Sequence, residues 1–310
     1  MILGIDTSNY TTSVALINSQ GELVSAAREL LEVEAGKKGL RQSKAVFQHI
    51  NKLPDVIKEV ATGKKNKIEK IVVSNQPRAD KDSYMPVFRV GESQAESLAS
   101  VLDVELEKFS HQEGHLMAGS WSARLKQDYF LALHISGGTT ELLEVNRVKS
   151  GFKTEVVAAT NDISAGQFID RIGVKLGLSF PAGPELEELA KKASDEIELP
   201  VAVKGYQLSF SGPCSAAMRL LDKDSTKAAQ LALAVQKVIA QSLVKLLKKA
   251  MADKNLRDIL IVGGVAANQY IREKMSKHLE TEKLAGKLYF ADAKYSTDNA
   301  VGTAFLGLNN

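Results

Sequence analysis

The chain opens on an apolar run, Ile2-Leu3-Gly4-Ile5, that breaks into small polar residues, Asp6-Thr7-Ser8-Asn9. A second apolar, β-rich run follows at 12–17, and Ser19-Gln20-Gly21 turns the chain toward a third near 23–27. Runs of this length bounded by turn residues predict strands. Val46, Ile50, Leu53, Ile57 and Val60 then recur at intervals of three and four, which predicts a helix over 42–62. A buried strand at 71–73, a helix over 91–102 and a strand over 104–109 follow.

A second block begins the same way, with a strand over 129–135, the turn Ser136-Gly137-Gly138, and a strand over 139–145. Both blocks read apolar strand, small polar turn, Thr-Thr pair, apolar strand, the pairs being Thr11-Thr12 and Thr139-Thr140. The parallel suggests a duplicated hairpin unit. Strand–turn–strand is common enough that chance is a fair alternative. Helices are predicted over 165–177, 183–194, 213–222 and, long and amphipathic, 226–251. A strand at 259–262, a helix from about 267, a strand at 288–290 and a short apolar helix over 298–308 complete the pattern. Meanders mixed with helices mean an α/β protein with mixed sheets, and 310 residues suit two domains or one large one.

Composition narrows this little. Hydrophobic residues at 44% and charged residues at 25% exclude a disordered, collagen-like or disulfide-scaffold protein. The charge of +3 neither marks a nucleic-acid binder nor forbids one. The single cysteine, Cys214, allows no intrachain disulfide and fits a reducing compartment. No signal peptide is expected, because the first strand starts at Ile2. No stretch of ~18 apolar residues is read along the chain, so a cytoplasmic protein without a membrane span is expected. The polar loops at 34–41 and 62–67 read as solvated charged loops.

Three constellations carry chemistry. In His111-Gln112-Glu113-Gly114-His115 the two histidines lie at i and i+4, so on a helix both imidazoles reach one ion. Ser110 and Glu113 form a capping box, which starts the helix there and gives Glu113 a structural role. Two surface histidines by accident would look the same. A zincin-type metallopeptidase needs Glu after the first His as general base, and Gln112 cannot take a proton. The second constellation is a set of glycine-bearing turns: Ser136-Gly137-Gly138, Gly263-Gly264 and Pro181-Ala182-Gly183-Pro184. Such turns let backbone N–H groups approach an anion. Together with Asp6-Thr7-Ser8 they suggest a nucleotide cleft between two lobes. Neither a Walker A nor a Gly-x-Gly-x-x-Gly signature is present. The third is acidic: Asp170 early in a helix, equally readable as a solvated acid, and Asp298 in Ser296-Thr297-Asp298-Asn299, equally readable as a helix cap. Asn268 is a further cap candidate.

In this order the pieces resemble the TsaD-type tRNA threonylcarbamoyladenosine transferases, also called Gcp or glycoprotease-like proteins. The resemblance runs nearly end to end. It is carried by His-x-Glu-Gly-His-Leu at 111–116, Ser-Gly-Gly-x-Thr at 136–140, Gly-Gly-Val-Ala-Ala-Asn at 263–268 and Ser-Thr-Asp-Asn-Ala at 296–300. It implies a two-lobed actin/hexokinase/Hsp70-like fold, a duplicated RNase H-like unit with mixed sheets and a central nucleotide cleft. The lobes would be 1–108, joined by the C-terminal segment 297–310, and 109–296, carrying the helix 111–125. The resemblance also implies one iron or zinc ion on His111, His115 and Asp298. It implies an adenine nucleotide or threonylcarbamoyl-AMP held by Ser136, Gly137, Gly138, Thr139, Thr140, Asp170, Gly183 and Asn268, with Asp170 the best acid/base candidate. The implied reaction moves threonylcarbamoyl from threonylcarbamoyl-AMP to N6 of the adenosine beside the tRNA anticodon. TsaB-, TsaE- and TsaC-like proteins are the implied partners, and a dimer is compatible.

The chain departs from the family pattern at several points, as a divergent paralogue would. Asn9-Tyr10-Thr11-Thr12 stands where the family carries an acidic pair, and Gln76-Pro77-Arg78-Ala79-Asp80 with a longer insert replaces a Gly-Pro-Gly-Leu loop. Thr139 replaces a His, Gln167 stands near the family's Glu, and Pro213-Cys214-Ser215 replaces Leu-Lys-Thr. These changes keep open a non-catalytic metal- and nucleotide-binding paralogue acting as partner or regulator, or a related transferase with another acceptor.

Overall fold

The computed structural model describes residues 1–310 except 81, 150, 224–226, 282–285 and 309–310. The first meander is β1 (Ile2–Asp6), β2 (Thr11–Ile17) and β3 (Leu23–Leu30), followed by α1 (Gln42–Ala61), β4 (Lys70–Gln76), α2 (Phe88–Leu102) and β5 (Glu105–Ser110). These strands form one sheet in the order β3-β2-β1-β4-β5. The β1–β2 and β2–β3 pairs are antiparallel, whereas β1–β4 and β4–β5 are parallel. Every residue of β1 and β2 is buried, as central strands covered on both faces require. The edge strand β3 alternates half-buried and exposed positions over most of its length.

Helix α3 (His111–Ser122) leads into the second meander, β6 (Tyr129–Ile135), β7 (Thr140–Val148) and β8 (Gly151–Ala159). Next come α4 (Ala165–Lys175), α5 (Gly183–Ala190), a short ribbon of β9 (Val203–Lys204) and β10 (Gln207–Leu208), α6 (Ser211–Lys223) and α7 (Ala228–Lys254). The chain finishes with β11 (Asp258–Val262), α8 (Gln269–Thr281), β12 (Lys287–Phe290), α9 (Ala293–Ser296) and α10 (Val301–Leu306). The second sheet has the order β12-β11-β6-β7-β8. Its pairs β6–β7 and β7–β8 are antiparallel, and β6–β11 and β11–β12 parallel. Strand for strand this is the first sheet again, so the duplicated hairpin is one part of a duplicated five-stranded unit. The two Thr-Thr pairs also do matching work. Thr12 Oγ1 lies 2.8 Å from His49 Nδ1 on α1, and Thr140 Oγ1 accepts from Ala165 N at the start of α4. Each ties its hairpin to a following helix.

One apolar cluster packs α1 and α2 on the first sheet, and a larger one packs α4–α8 on the second. Between the sheets lies a third, in which Leu116 and Met117 of α3 and Ala304 and Phe305 of α10 meet Ile17, Val72, Phe130 and Val262. The crossing of α3 and α10 depends on glycine. A Cβ at Gly302 would collide with the Gly114 carbonyl oxygen and stand 2.7 Å from Ala118 N. Gly302→Ala is therefore expected to destabilise the fold by about 1–3 kcal/mol in urea unfolding. Gly212→Ala, where a Cβ meets nothing within 4 Å, is the near-neutral control.

Several sequence expectations change. The buried stripe of α1 is Ala45, His49, Leu53, Val56 and Val60, and Ile50 is exposed. Polar His49 takes a core position because Thr12 receives it, and burial pushes its pKa down to about 4. Strands β8, β9 and β10 lie outside the strands that the hydrophobic pattern predicts. Helix α7 is described from Ala228, so its expected start at 226 lies outside the described residues. By length and hydropathy α7 is apolar enough to cross a membrane, which the sequence pattern does not predict, but 72% of its most apolar window is buried inside the protein. It serves as the core helix of the second half.

Candidate metal centre and ligand cleft

The site is assembled where α3 begins. Ser110 ends β5 and caps α3: its Oγ accepts from Glu113 N at 3.3 Å, and Glu113 Oε2 accepts from Ser110 N at 2.9 Å. That box fixes the first helical residue as His111 and sets His115 one turn on, along the same face. His111 Nδ1 lies 2.8 Å from Asp6 Oδ2, at the end of β1. His111 Nε2 and His115 Nε2 both face Asp298 Oδ1, at 3.4 and 3.2 Å. Asp298 does not cap α10. Ala300 holds the cap position, and Asn299 Oδ1 accepts from Val301 N, the first helical N–H, at 3.0 Å. Nor are the histidines surface accidents, since both are buried.

The donor atoms of His111, His115 and Asp298 lie within 4.8 Å of one another. A tetrahedral ion with metal–ligand distances of about 2.0–2.2 Å sets neighbouring donors about 3.3–3.6 Å apart. The two imidazole–carboxylate separations match that spacing. Two nitrogens and one oxygen leave a position open, and Asp6 on the far nitrogen of His111 is the outer carboxylate that orients such ligands. The residues present therefore fit a divalent iron or zinc ion.

The charges of the cluster act strongly on one another. Burial works against the His111 cation, but Asp6 and Asp298 overcome it and raise its pKa to about 10. His115 goes the other way, down to about 4, through burial and the adjacent His111 charge. Burial would raise the Asp298 carboxyl, yet the two histidines hold it well below the usual carboxylate range.

A second polar group lies beneath, and none of the three constellations includes it. His134 and Glu141 face each other across the β6–β7 hairpin. Glu141 is 1% exposed, pairs with Arg78 Nη2 at 2.9 Å, and accepts from Gln112 Nε2. The His134 ring lies 4.9 Å from that of His115, and neither of its nitrogens has a hydrogen-bond partner among the described residues. Hairpin register is the signal that finds this pair: a turn over 136–139 pairs 135 with 140 and hence 134 with 141. The segment that replaces the family's glycine loop is thus strapped down. Gln112 N donates to Pro77 O at 3.0 Å, Arg78 reaches Glu141, and Thr7 Oγ1 donates to Val87 O at 2.9 Å.

Six of the eight residues expected to hold the nucleotide line two adjoining cavities. The larger, about 430 Å3, is bounded by Ser136, Gly137, Gly138, Asp170 and Asp298, and also by Tyr10, Lys38 and Arg171. The smaller, about 350 Å3, shares Gly137 and Asp170 and adds Gly183, Pro184, Val265 and Asn268. Thr139 and Thr140 line neither. Thr139 N donates to Ser136 Oγ at 3.1 Å within the turn, and Thr140 anchors α4. The turn lies hard against that helix: a Cβ at Gly166 would stand 2.5 Å from Ser136 O. Asn268 caps α8, accepting from Ile271 N at 2.9 Å, while its amide donates to Gln236. Asp170 is buried and accepts from Ala182 N at 2.8 Å. Burial outweighs that bond and pushes its pKa up to about 6, where a carboxyl can exchange protons near neutral pH.

Known proteins agree with this architecture. A structure of the (R)-2-hydroxyglutaryl-CoA dehydratase component A of Acidaminococcus fermentans superposes over 99% of this chain and 97% of its own, with TM-score 0.60 at 16% identity. A ROK family glucokinase from Streptomyces griseus covers 98% of both chains at TM-score 0.55 and 10% identity. These likenesses establish the two-lobed fold of the actin and hexokinase type. In sequence, a tRNA N6-adenosine threonylcarbamoyltransferase from Thermosipho africanus is 31% identical over 317 residues, spanning 99% of this chain and 93% of the relative. The family model described as TsaD, tRNA N6-adenosine threonylcarbamoyltransferase, matches residues 30–305. That span takes in the paired histidines, the Ser-Gly-Gly turn and Asp298 alike, and the chain belongs to the tRNA N6-adenosine threonylcarbamoyltransferase family.

Proposed function

We propose that this protein transfers the threonylcarbamoyl group of threonylcarbamoyl-AMP to N6 of the adenosine beside the tRNA anticodon, with one iron or zinc ion on His111, His115 and Asp298. The observation that carries this reading is the cluster of two buried histidines and a half-buried Asp298, which opens through Asp298 onto a cavity that also reaches the Ser136-Gly137-Gly138 turn. When bound, the ion supplies a Lewis acid for the oxygens of the carbamoyl-phosphate group. The chain's own residues do the rest. Asp6 fixes the orientation of His111. The glycines of the turn leave the backbone open to the phosphate. The smaller cavity, walled by Pro184 and Val265, takes the nucleoside. As N6 attacks the carbamoyl carbon, the N–C bond forms, the C–O bond to phosphate breaks, and AMP leaves. Asp170, ionised above about pH 6, accepts the N6 proton.

With a charge of only +3, the chain brings no large basic field to tRNA. TsaB-, TsaE- and TsaC-like proteins are its proposed partners, and the cytoplasm its proposed location. The lobes are proposed as 1–108 with 297–310, and 109–296. A second reading, a non-catalytic paralogue, is favoured by Tyr10, which lies on the cavity wall where the family carries an acid.

The test is incubation with threonylcarbamoyl-AMP and unmodified tRNA, with and without those partners. Threonylcarbamoyladenosine in the digested tRNA is the expected product. Its absence under every combination leaves the second reading.

A further inference from the structure

Two cations face the larger cavity with no acid to answer them. Lys38 and Arg171 both line it, both are exposed, and neither forms an ion pair among the described residues. The acids on the same wall are already engaged: Asp298 by two histidines, Asp170 by Ala182 N. Lys38 is not on a free-swinging loop. Its neighbour Gly39, at φ +145°, lies so close to Tyr10 that a Cβ there would collide with the phenol oxygen. Tyr10 in turn packs edge-on against Phe180 of the opposite half, ring centroids 5.1 Å apart. The loop is therefore held against the cavity, with Lys38 and Arg171 both on its wall. Both charges also act on the thiol of Cys214, opposing the upward push of burial.

The smaller cavity, with Gly183, Pro184 and Val265, suits the nucleoside, so the acyl end of the donor falls to the larger one. Resting on the acyl-adenylate reading above, we propose that Lys38 and Arg171 clamp a carboxylate on the acyl group and so select donors whose acyl end is anionic. Charge-assisted hydrogen bonds from two cations to one carboxylate are strong enough to decide between an acid and its neutral isostere. The nucleotide phosphate is the other anion of the donor, and the experiment separates the two.

Isothermal titration of the full chain would use three probes: threonylcarbamoyl-AMP, the same compound with the threonine carboxylate converted to an amide, and AMP. The wild type is expected to bind the acid at least about 10-fold more tightly than the amide. In the Lys38→Ala/Arg171→Gln double variant that preference is expected to collapse, with amide and AMP binding changed less than about 2-fold. Lys38→Arg is expected to retain it. Equal affinity of the wild type for acid and amide would overturn the clamp. So would an equal loss for AMP, which would assign the cations to phosphate. Failure of the wild type to bind either acyl compound would overturn the acyl-adenylate reading itself, and the clamp with it.

Discussion

Changing His115 to alanine is expected to abolish binding of the proposed ion and to lower threonylcarbamoyl transfer by about 100-fold or more. The expectation rests on geometry. Asp298 Oδ1 is shared by His111 Nε2 and His115 Nε2 at the spacing of neighbouring ligands on a small ion. With one imidazole gone, two donors remain and solvent must fill the rest of the coordination sphere. Asp6→Asn is the graded companion. It leaves all three ligands but weakens the orientation of His111, and changes at such outer positions cost about 10–100-fold in metal affinity. Metal per chain by mass spectrometry, read beside turnover, checks both. Wild-type metal content in His115→Ala would reject the centre.

Asp170→Asn is expected to raise stability and lower activity together. The carboxyl has an ordinary value of 3.8 and is pushed up to about 6 by burial. The folded protein therefore favours the protonated form. The contribution of Asp170 to stability is fully present below the unfolded value near 3.8 and is lost as the pH rises through about 6. At pH 8 the displacement corresponds to on the order of 2–3 kcal/mol of penalty. Asparagine keeps an oxygen to accept from Ala182 N but carries no charge to desolvate. The thermal midpoint of the variant should match the wild type below about pH 4, pull ahead between about pH 4 and 6, and hold its lead above that. Its transfer rate should fall, because the amide cannot accept the N6 proton. Parallel stability curves across that range would show that Asp170 is not held against its charge.

Much of this site is legible in the amino-acid sequence. The His-x3-His spacing, the Ser110–Glu113 box and the Ser-Gly-Gly turn are local patterns whose geometry follows from helix and turn periodicity. What is not legible depends on contacts between distant segments. Asp298 reads as a cap because Ser-Thr-Asp-Asn before an apolar helix is cap chemistry. The placement of α10 against α3 turns Asp298 to the histidines, and the first helical N–H, of Val301, goes to Asn299 instead. Asp170 reads as a solvated helical acid because nothing nearby in sequence announces that Ala182 will cover it. Ile50 and His49 exchange their expected places for a similar reason: a threonine on β2 makes the polar residue the better buried one. The Arg78–Glu141–Gln112 network joins three segments with no shared periodicity. Even so, its His134 and Glu141 arm is open to hairpin arithmetic.

The α3–α10 crossing has a consequence for how the protein is made. His111 meets Asp6 across 105 positions of chain, and His115 meets Asp298 across 183. A ribosome that has delivered every residue up to 297 has produced both imidazoles and the outer carboxylate, but not the last ligand. The three donors are thus brought together only by a contact between segments far apart in the chain. Their meeting waits for Asp298 to leave the ribosome and for Gly302 to settle on Gly114. A chain that stopped at 297 would carry both imidazoles and Asp6 with no Asp298 carboxylate to join them.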